Sequence, residues 1–375
     1  MKFIHIADLH IGKILNGYSL LDDQRYILDE VIRIMKEEDC SNLIIAGDIY
    51  DRSIPSSEAV KLFNDFLDKV INDEQFKVYM ISGNHDSSER LNFGSNILNK
   101  RGLFIDSFVS VPLNKYTLND EYGNINIYML PFVSYQSVRN NYGVDVHNNC
   151  EAIKYLLDET KINNKERNII IAHDTIGYEG KLIRSDSELG QSIGGLEMID
   201  SSIFKGFNYV ALGHIHTPQA LGSDNIRYSG SILKYSESEI YKDKSCVLID
   251  LKDNIEIKEI PLKPLKDVRK LEGFFDELIH NESNNDYLYI HLKDKKVIID
   301  AMAKLRNVYP NALSIKYDNL ESNVNKLIKK EGFEEKTILE KFNDFSEYVY
   351  DEKLNEEENK IINELLKEQE ESCDQ

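Results

Sequence analysis

The segment MKFIHIADLHIG (Met1–Gly12) opens with an apolar run, Phe3 to Ala7, that stops abruptly at Asp8-Leu9-His10. The same change of character recurs four times. Leu43 to Ala46 runs into Gly47-Asp48-Ile49-Tyr50-Asp51, and Lys77 to Ser82 into Gly83-Asn84-His85-Asp86. Asn168 to Ala172 runs into His173-Asp174, and Tyr209 to Leu212 into Gly213-His214-Ile215-His216. Short runs rich in Ile and Val, each bounded by polar turns, read as strands buried on both faces. Between the first two, Gln24 to Glu38 sets Ile27, Leu28, Val31, Ile32 and Met35 at helical spacing. Between the next two, Ser57 to Ile71 repeats that spacing through Val60, Leu62, Phe63, Phe66, Leu67 and Val70, with Ser56 or Ser57 as N-cap. This alternation predicts an α/β fold around a largely parallel sheet. Asn126 to Leu130, Ile226 to Ser229 and Cys246 to Leu251 either extend that sheet or build a second, antiparallel layer.

The chain has 375 residues, 41% of them hydrophobic, enough for one large or two smaller cores, which excludes disorder throughout. Its 65 acidic and 45 basic residues leave a net charge of −20, which argues against coating nucleic acid through a broad basic surface and leaves room only for a local site. The charge is uneven: Glu331 to Gln375 holds 16 acidic and 5 basic residues. The four cysteines form no C-x-x-C pair, so neither a disulfide framework nor a cysteine zinc site is expected; reduced thiols fit a cytoplasmic protein. The N-terminal apolar stretch is too short for a secretory segment, and with no run of about 18 apolar residues no membrane anchor is expected.

Pro261 and Pro264 mark a boundary after Ile260. Beyond it the pattern predicts a helix over Val268 to His280, a strand over Tyr287 to Leu292, a helix over Val297 to Val308 and a strand over Leu313 to Tyr317. These make a small α+β domain within residues 261–330. In residues 331–375, Ile338, Leu339, Phe342, Phe345 and Val349 form an apolar stripe on an acidic helix. A second helix starts after Asn355, with Glu358 in the capping-box position and Ile361, Ile362, Leu365 and Leu366 on one face. Ser185 to Gly195 (SDSELGQSIGG) reads as a loop that either borders a substrate or simply connects elements.

Strand C-termini of a parallel sheet share one rim, so the five polar clusters converge there. Their donors are imidazole nitrogen, carboxylate oxygen and one carboxamide oxygen without thiolate, a set suited to Mn²⁺, Fe²⁺ or Zn²⁺. His214 and His216 alternate along an extended stretch and can reach two different ions. Asp48 is the candidate bridge between them, because Gly47 before it permits close backbone approach. Each cluster alone is compatible with an ordinary turn, and His173 alone with a satisfied core histidine; five together at strand ends favour a two-metal centre.

The series D-x-H, G-D-x-x-D, G-N-H-D, H and G-H-x-H resembles the calcineurin-like metallophosphoesterase superfamily over residues 1–260. Within it, IADLHIG, SDSELGQSIGGLEMID, VALGHIH and RYSGSILKYSESE are similar to the nuclease components of bacterial SbcCD complexes, a likeness that extends over essentially the whole chain. The resemblance implies a two-sheet metallophosphoesterase sandwich flanked by helices (1–260), a small α+β capping domain (261–330) and an acidic helical tail (331–375) that binds an SbcC-type ATPase. It implies two divalent ions, Mn²⁺ foremost: one on Asp8, His10, Asp48 and His216, the other on Asp48, Asn84, His173 and His214. His85 would be the catalytic histidine, with Asp86 orienting its ring, while His5, Asp51 and Asp174 match no ligand role. The substrate implied is DNA, cut exonucleolytically in duplexes and endonucleolytically in single strands or hairpins, by a homodimer paired through the nuclease domain. Lys13, Arg52 and Arg90 beside the ligand loops are possible phosphate contacts. The competing readings are a stand-alone phosphoesterase for nucleotides or small phosphate esters, and a scaffold that keeps the fold without catalysis.

Overall fold

Strands that are apolar on both faces need cover on both sides, and the chain supplies it with two sheets. A computed structural model describes residues 1–189, 198–318, 336–350 and 353–373, in two units, Met1–Asp267 and Val268–Gln375. In chain order the strands of the first unit that build its two large sheets are β1 (Lys2–Ile6), β2 (Asn42–Ala46), β3 (Lys77–Ile81), β4 (Leu103–Asp106), β5 (Asn114–Asp120) and β6 (Gly123–Leu130). They continue with β7 (Arg167–His173), β8 (Tyr209–Gly213), β9 (Gln219–Leu221), β10 (Ser223–Tyr228), β11 (Ser245–Leu251) and β12 (Ile255–Pro261). One sheet has the order β12-β11-β1-β2-β3-β4 and the other β9-β10-β8-β7-β6-β5.

The apolar runs that precede the ligand clusters are therefore divided, β1, β2 and β3 in one sheet and β7 and β8 in the other. The second layer is not antiparallel: β10, β8, β7 and β6 run parallel, and only the edge strands β9 and β5 reverse. β11, an alternative for that layer, instead pairs antiparallel with β1. Phe3, Ile44, Ala46, Tyr79 and Ile81 of the first sheet pack against Ile127, Met129, Ile169, Ile171 and Ala211 of the second. Fully burying an Ile, Phe or Met side chain among these stabilises by about 1.5–3 kcal/mol.

The outer faces take the helices. Helix Leu21–Glu37 buries Ile27, Leu28, Val31, Ile32 and Met35. Helix Ser57–Asp68 buries Leu62, Phe63 and Phe66, while Val60 is exposed. Ser56 caps it by accepting from the Ala59 N–H at 3.2 Å, a contact worth about 1 kcal/mol. The opposite face of the second sheet receives helix Asn149–Thr160 through Ala152, Ile153 and Leu156.

In the second unit three parallel strands, Val268–Gly273, Tyr287–Leu292 and Ala312–Tyr317, form one sheet, and helix Ala301–Arg306 joins the latter two. Residues Val268 to His280 are not one helix: the first six form a strand and only Phe275–Leu278 is helical. Leu271, Phe275 and Leu278 mimic helical spacing, but Gly273 weakens a helix there and the ladder to Tyr287–Leu292 captures the preceding residues. Helices Ile338–Tyr350 and Glu356–Cys373 are linked by Asn343 donating to Asn359 at 3.0 Å. Asn355 and Glu358 cap the second reciprocally, at 2.9 and 3.0 Å. Of the stretch 185–195, residues 190–195 lie outside the described residues; Asp186–Leu189 is a single helical turn.

Candidate metal centre

Loops following β1, β2, β3, β7 and β8 meet at one end of the sandwich and are laced together by their backbones. Asp8 N–H donates to Gly47 O at 3.1 Å, His10 N–H to Asp48 O at 3.0 Å and Ile11 N–H to Ile49 O at 2.9 Å. His214 N–H donates to the Asp8 carboxylate at 2.8 Å, tying the second sheet to the first. Asp8, His10, Asp48 and His214 have φ of 54°, 43°, 50° and 102°, left-handed backbone that costs non-glycine residues about 1–3 kcal/mol each and persists where the surroundings over-determine it. Two glycines make the approach possible: a Cβ on Gly47 would lie 2.4 Å from His173 Nδ1, and one on Gly213 1.9 Å from Ala46 O.

All seven candidate ligands are brought together. His10 Nε2 and His216 Nε2 face each other at 3.0 Å, and Asp8, His10 and His216 each offer an atom within 4.8 Å of the others. Asp48, His173 and His214 form a second such group. Asp48 Oδ2 lies 3.7 Å from His10 Nε2 and 3.4 Å from His173 Nε2, between the two groups. Asn84 Oδ1 faces His173 Nε2 at 3.0 Å and His214 Nδ1 at 2.9 Å.

This donor set fits divalent cations. His173 Nδ1 must donate to Ala46 O at 2.8 Å, so its Nε2 lone pair points at two acceptors, Asn84 Oδ1 and Asp48 Oδ2. Asp8 Oδ2 is buried without a partner. Nε2 of His10 and Nε2 of His216 face one another at 3.0 Å, two nitrogens presented to one gap. Acceptors turned on acceptors call for protons or cations. Burial works against charge on His173, but the Asp48 carboxylate outweighs it and lifts the ring to about 9. Asp48 itself is held well below the usual carboxylate range, His173 overcoming the burial that would raise it. Burial pushes Asp8 up to about 6 and His214 down to about 3.

His85 stands at the mouth, its side chain 20% exposed against 2% for Asp48. Its Nδ1 bonds to the Asp51 carbonyl at 2.9 Å and its Nε2 lies 4.0 Å from Asp48 Oδ2. Asp86 does not orient that ring: its carboxylate accepts from Gly83, Ile49 and Tyr50 N–H groups at 2.8, 3.1 and 3.0 Å, pinning the second loop to the third. His5 is a core residue whose Nδ1 meets Tyr209 Oη at 3.0 Å across the two sheets. Asp174 is turned to Thr175 N–H at 2.7 Å, and the Asp51 carboxylate to Lys13 at 2.8 Å. Sequence reasoning assigned nothing to Ser187, Glu188, Glu239 and Lys244, yet all four surround His216. The only signal was that three of them fall in stretches carrying the family resemblance.

The family model described as calcineurin-like phosphoesterase matches residues 1–218, and one described as type 5 capsule protein repressor C-terminal domain matches residues 262–350. A relative from Staphylococcus epidermidis, named as the SbcD component of nuclease SbcCD, is 36% identical over 356 residues, covering 91% of this chain and 92% of its own. One of the same name from Staphylococcus saprophyticus is 35% identical over 358 residues, with 91% and 92% covered. Among solved structures, a dimetal phosphatase from Danio rerio matches 70% of this chain and 98% of its own at 12% identity and a TM-score of 0.41.

Proposed function

This chain belongs to the calcineurin-like phosphoesterase family and, within it, to the SbcD components of SbcCD nucleases, and we propose that it hydrolyses DNA phosphodiesters at the rim just described. The observation that carries this reading is the meeting of seven acceptor-rich side chains from five loops around Asp48. Asp8, His10, Asp48 and His216 would hold one divalent ion and Asp48, Asn84, His173 and His214 the other, with Asp48 shared. Manganese suits this mixture of imidazole and oxygen donors. When bound, such a pair neutralises phosphate oxygens and lowers the pKa of the attacking water.

The chain's own contribution is positioning and proton handling. The Asp51 carbonyl can only accept, so it fixes the proton on His85 Nδ1 and leaves Nε2 facing the centre. That nitrogen is placed to stabilise the reacting phosphate or to deliver a proton to the leaving sugar oxygen. With a net charge of −20, strand binding must be local. Arg52, 76% exposed and 3.7 Å from the Asp51 carboxylate, and exposed Arg90, in the short helix after the third loop, are the proposed phosphate contacts, with Lys13 paired to Asp51 at 2.8 Å.

The remaining assignments extend the same reading. Residues 1–260 would be the nuclease domain, 261–330 a capping domain and 331–375 the segment that docks on an SbcC-type ATPase. Exposed Phe342, Phe345, Ile361 and Leu365 on the two acidic helices support that docking. Exposed Phe93, just after the short helix Ser88–Asn92, and Ile97, within the short helix Ser95–Leu98, support a homodimer through the nuclease domain. No helix among the described residues is long and apolar enough to cross a membrane, and a cytoplasmic location is proposed. The test is cleavage of hairpin and blunt-ended DNA with Mn²⁺, with and without an SbcC-type partner and ATP. Hydrolysis of a chromogenic diester with none of DNA would favour the small-ester reading instead.

A further inference from the structure

Two stretches left without a role by the metal chemistry, Ser185–Leu189 and Ser229–Glu239, meet behind His216. The face of that ring turned away from His10 presents Nδ1 to Ser187 Oγ at 2.9 Å and to Glu239 Oε1 at 3.3 Å. Ser187 and Ser236 hydroxyls donate to the same Oε1 at 2.7 and 3.0 Å. Oε2 of Glu239 accepts from Lys244 Nζ at 2.6 Å and Ser231 Oγ at 3.3 Å. Lys244 also donates to the His216 carbonyl at 2.8 Å, while Glu188 accepts the His216 N–H at 2.6 Å.

Both ions of the Glu239–Lys244 pair are almost fully buried, with side chains 1% and 5% exposed. Burying a pair is costly, and apolar residues of similar volume commonly do as well or better for stability, so the pair's placement against one imidazole calls for another account. The other ligands are treated differently. His173 is oriented by a neutral carbonyl, and His10 Nδ1 has no hydrogen-bond partner. Asp51 Oδ1 lies 3.9 Å from His10 Nδ1, beyond hydrogen-bond reach, so of these three only His216 has a carboxylate within hydrogen-bond distance of its outer nitrogen. A carboxylate can only accept, so Nδ1 of His216 keeps its hydrogen and Nε2 keeps its lone pair, directed at the gap shared with His10.

We propose that Glu239 is a positioning residue that fixes the tautomer and aim of His216 for the ion shared with Asp8 and His10, and that Lys244 anchors Glu239 for this task. The inference rests on the two-ion reading above and makes the two ions unequal. The support is specific to the His216 side, so its loss weakens one ion and spares the other.

The experiment is Mn²⁺ titration of the full-length, chelator-stripped protein, read by calorimetry and by the electron paramagnetic resonance signal of free Mn²⁺, which together give two dissociation constants. Glu239→Gln is expected to weaken one of them by about 10- to 100-fold, the usual range for a residue behind a metal ligand, with the other within about threefold. Because that variant leaves Lys244 without its anion, Glu239→Gln/Lys244→Met is measured beside it; the double variant should melt near the parent temperature and keep the same single-site defect. Binding of both ions at parent affinity by a variant that melts normally overturns the proposal. So does equal weakening of both, the mark of a general structural role. Failure of the parent protein itself to take up two ions would instead remove the two-ion reading.

Discussion

Asp48→Asn keeps the shape of the central side chain and removes its charge, so its consequences can be worked out in the ion-free protein. Asp48 Oδ2 lies 3.4 Å from His173 Nε2, and although burial works against a charged ring, this carboxylate first, then Asp8 and the Ala46 carbonyl, raise it from 6.5 to about 9. At about 1.4 kcal/mol for each unit of pH, that difference is about 3 kcal/mol of folding stability. A histidine whose pKa is raised on folding contributes this in full below pH 6.5 and loses it as pH climbs through about 9. For a unit of this size about 3 kcal/mol corresponds to roughly 6–12 °C in melting temperature. Chelator-stripped Asp48→Asn should therefore melt that far below the parent at pH 6.5, and the gap should close towards pH 10. Adding Mn²⁺ at about 100 times its dissociation constant should then raise the parent by a further 2.7 kcal/mol or so and leave the variant where it was. Scanning calorimetry at the two pH values is the assay. An equal deficit at both, or none at pH 6.5, would refute the pairing on which the calculation stands.

His85→Gln should retain both ions in a Mn²⁺ titration and lose about 10²- to 10⁴-fold in DNA cleavage; unchanged turnover would remove His85 from the chemistry. Gly213→Ala, whose new Cβ would sit 1.9 Å from the Ala46 carbonyl, should cost about 1–3 kcal/mol and melt about 2–12 °C lower, so an unaltered melting curve would contradict the close approach of the two sheets. Removal of residues 336–375 should abolish capture of an SbcC-type partner while Mn²⁺-dependent cutting of single-stranded DNA persists, and a retained complex in a pull-down would displace the docking site. DNA affinity should fall with added salt, with a shallower slope for Arg52→Ala/Arg90→Ala; a slope near zero in the parent would deny phosphate contacts.

The strands and the two long helices were legible because Phe3 to Ala7 or Leu43 to Ala46 can be buried in only a few ways, and polar residues at their ends mark the rim. Their division between two sheets was not, since a strand covered on both faces has the same composition whichever neighbour it pairs with. Val268 to His280 misled because three apolar residues at helical spacing outweighed one glycine. The ligand types stand in recognisable spacing along the chain, whereas Glu239 lies on a short 3-10 helix and Lys244 just before a strand, with no pattern linking them, and only the folded chain brings them behind His216. Asp86 lay next to His85 in sequence, but backbone N–H groups of the neighbouring loops claimed it first.

The candidate ligands hang from opposite halves of the sandwich: Asp8, His10, Asp48 and Asn84 follow strands of one sheet, while His173 ends a strand of the other and His214 and His216 follow one. A cation gripped by both would act as a latch on that end of the molecule. Starvation of the divalent metal would then do more than silence the enzyme, because the unlatched end would become the first place for a protease to enter, and cellular abundance of the protein would follow metal supply.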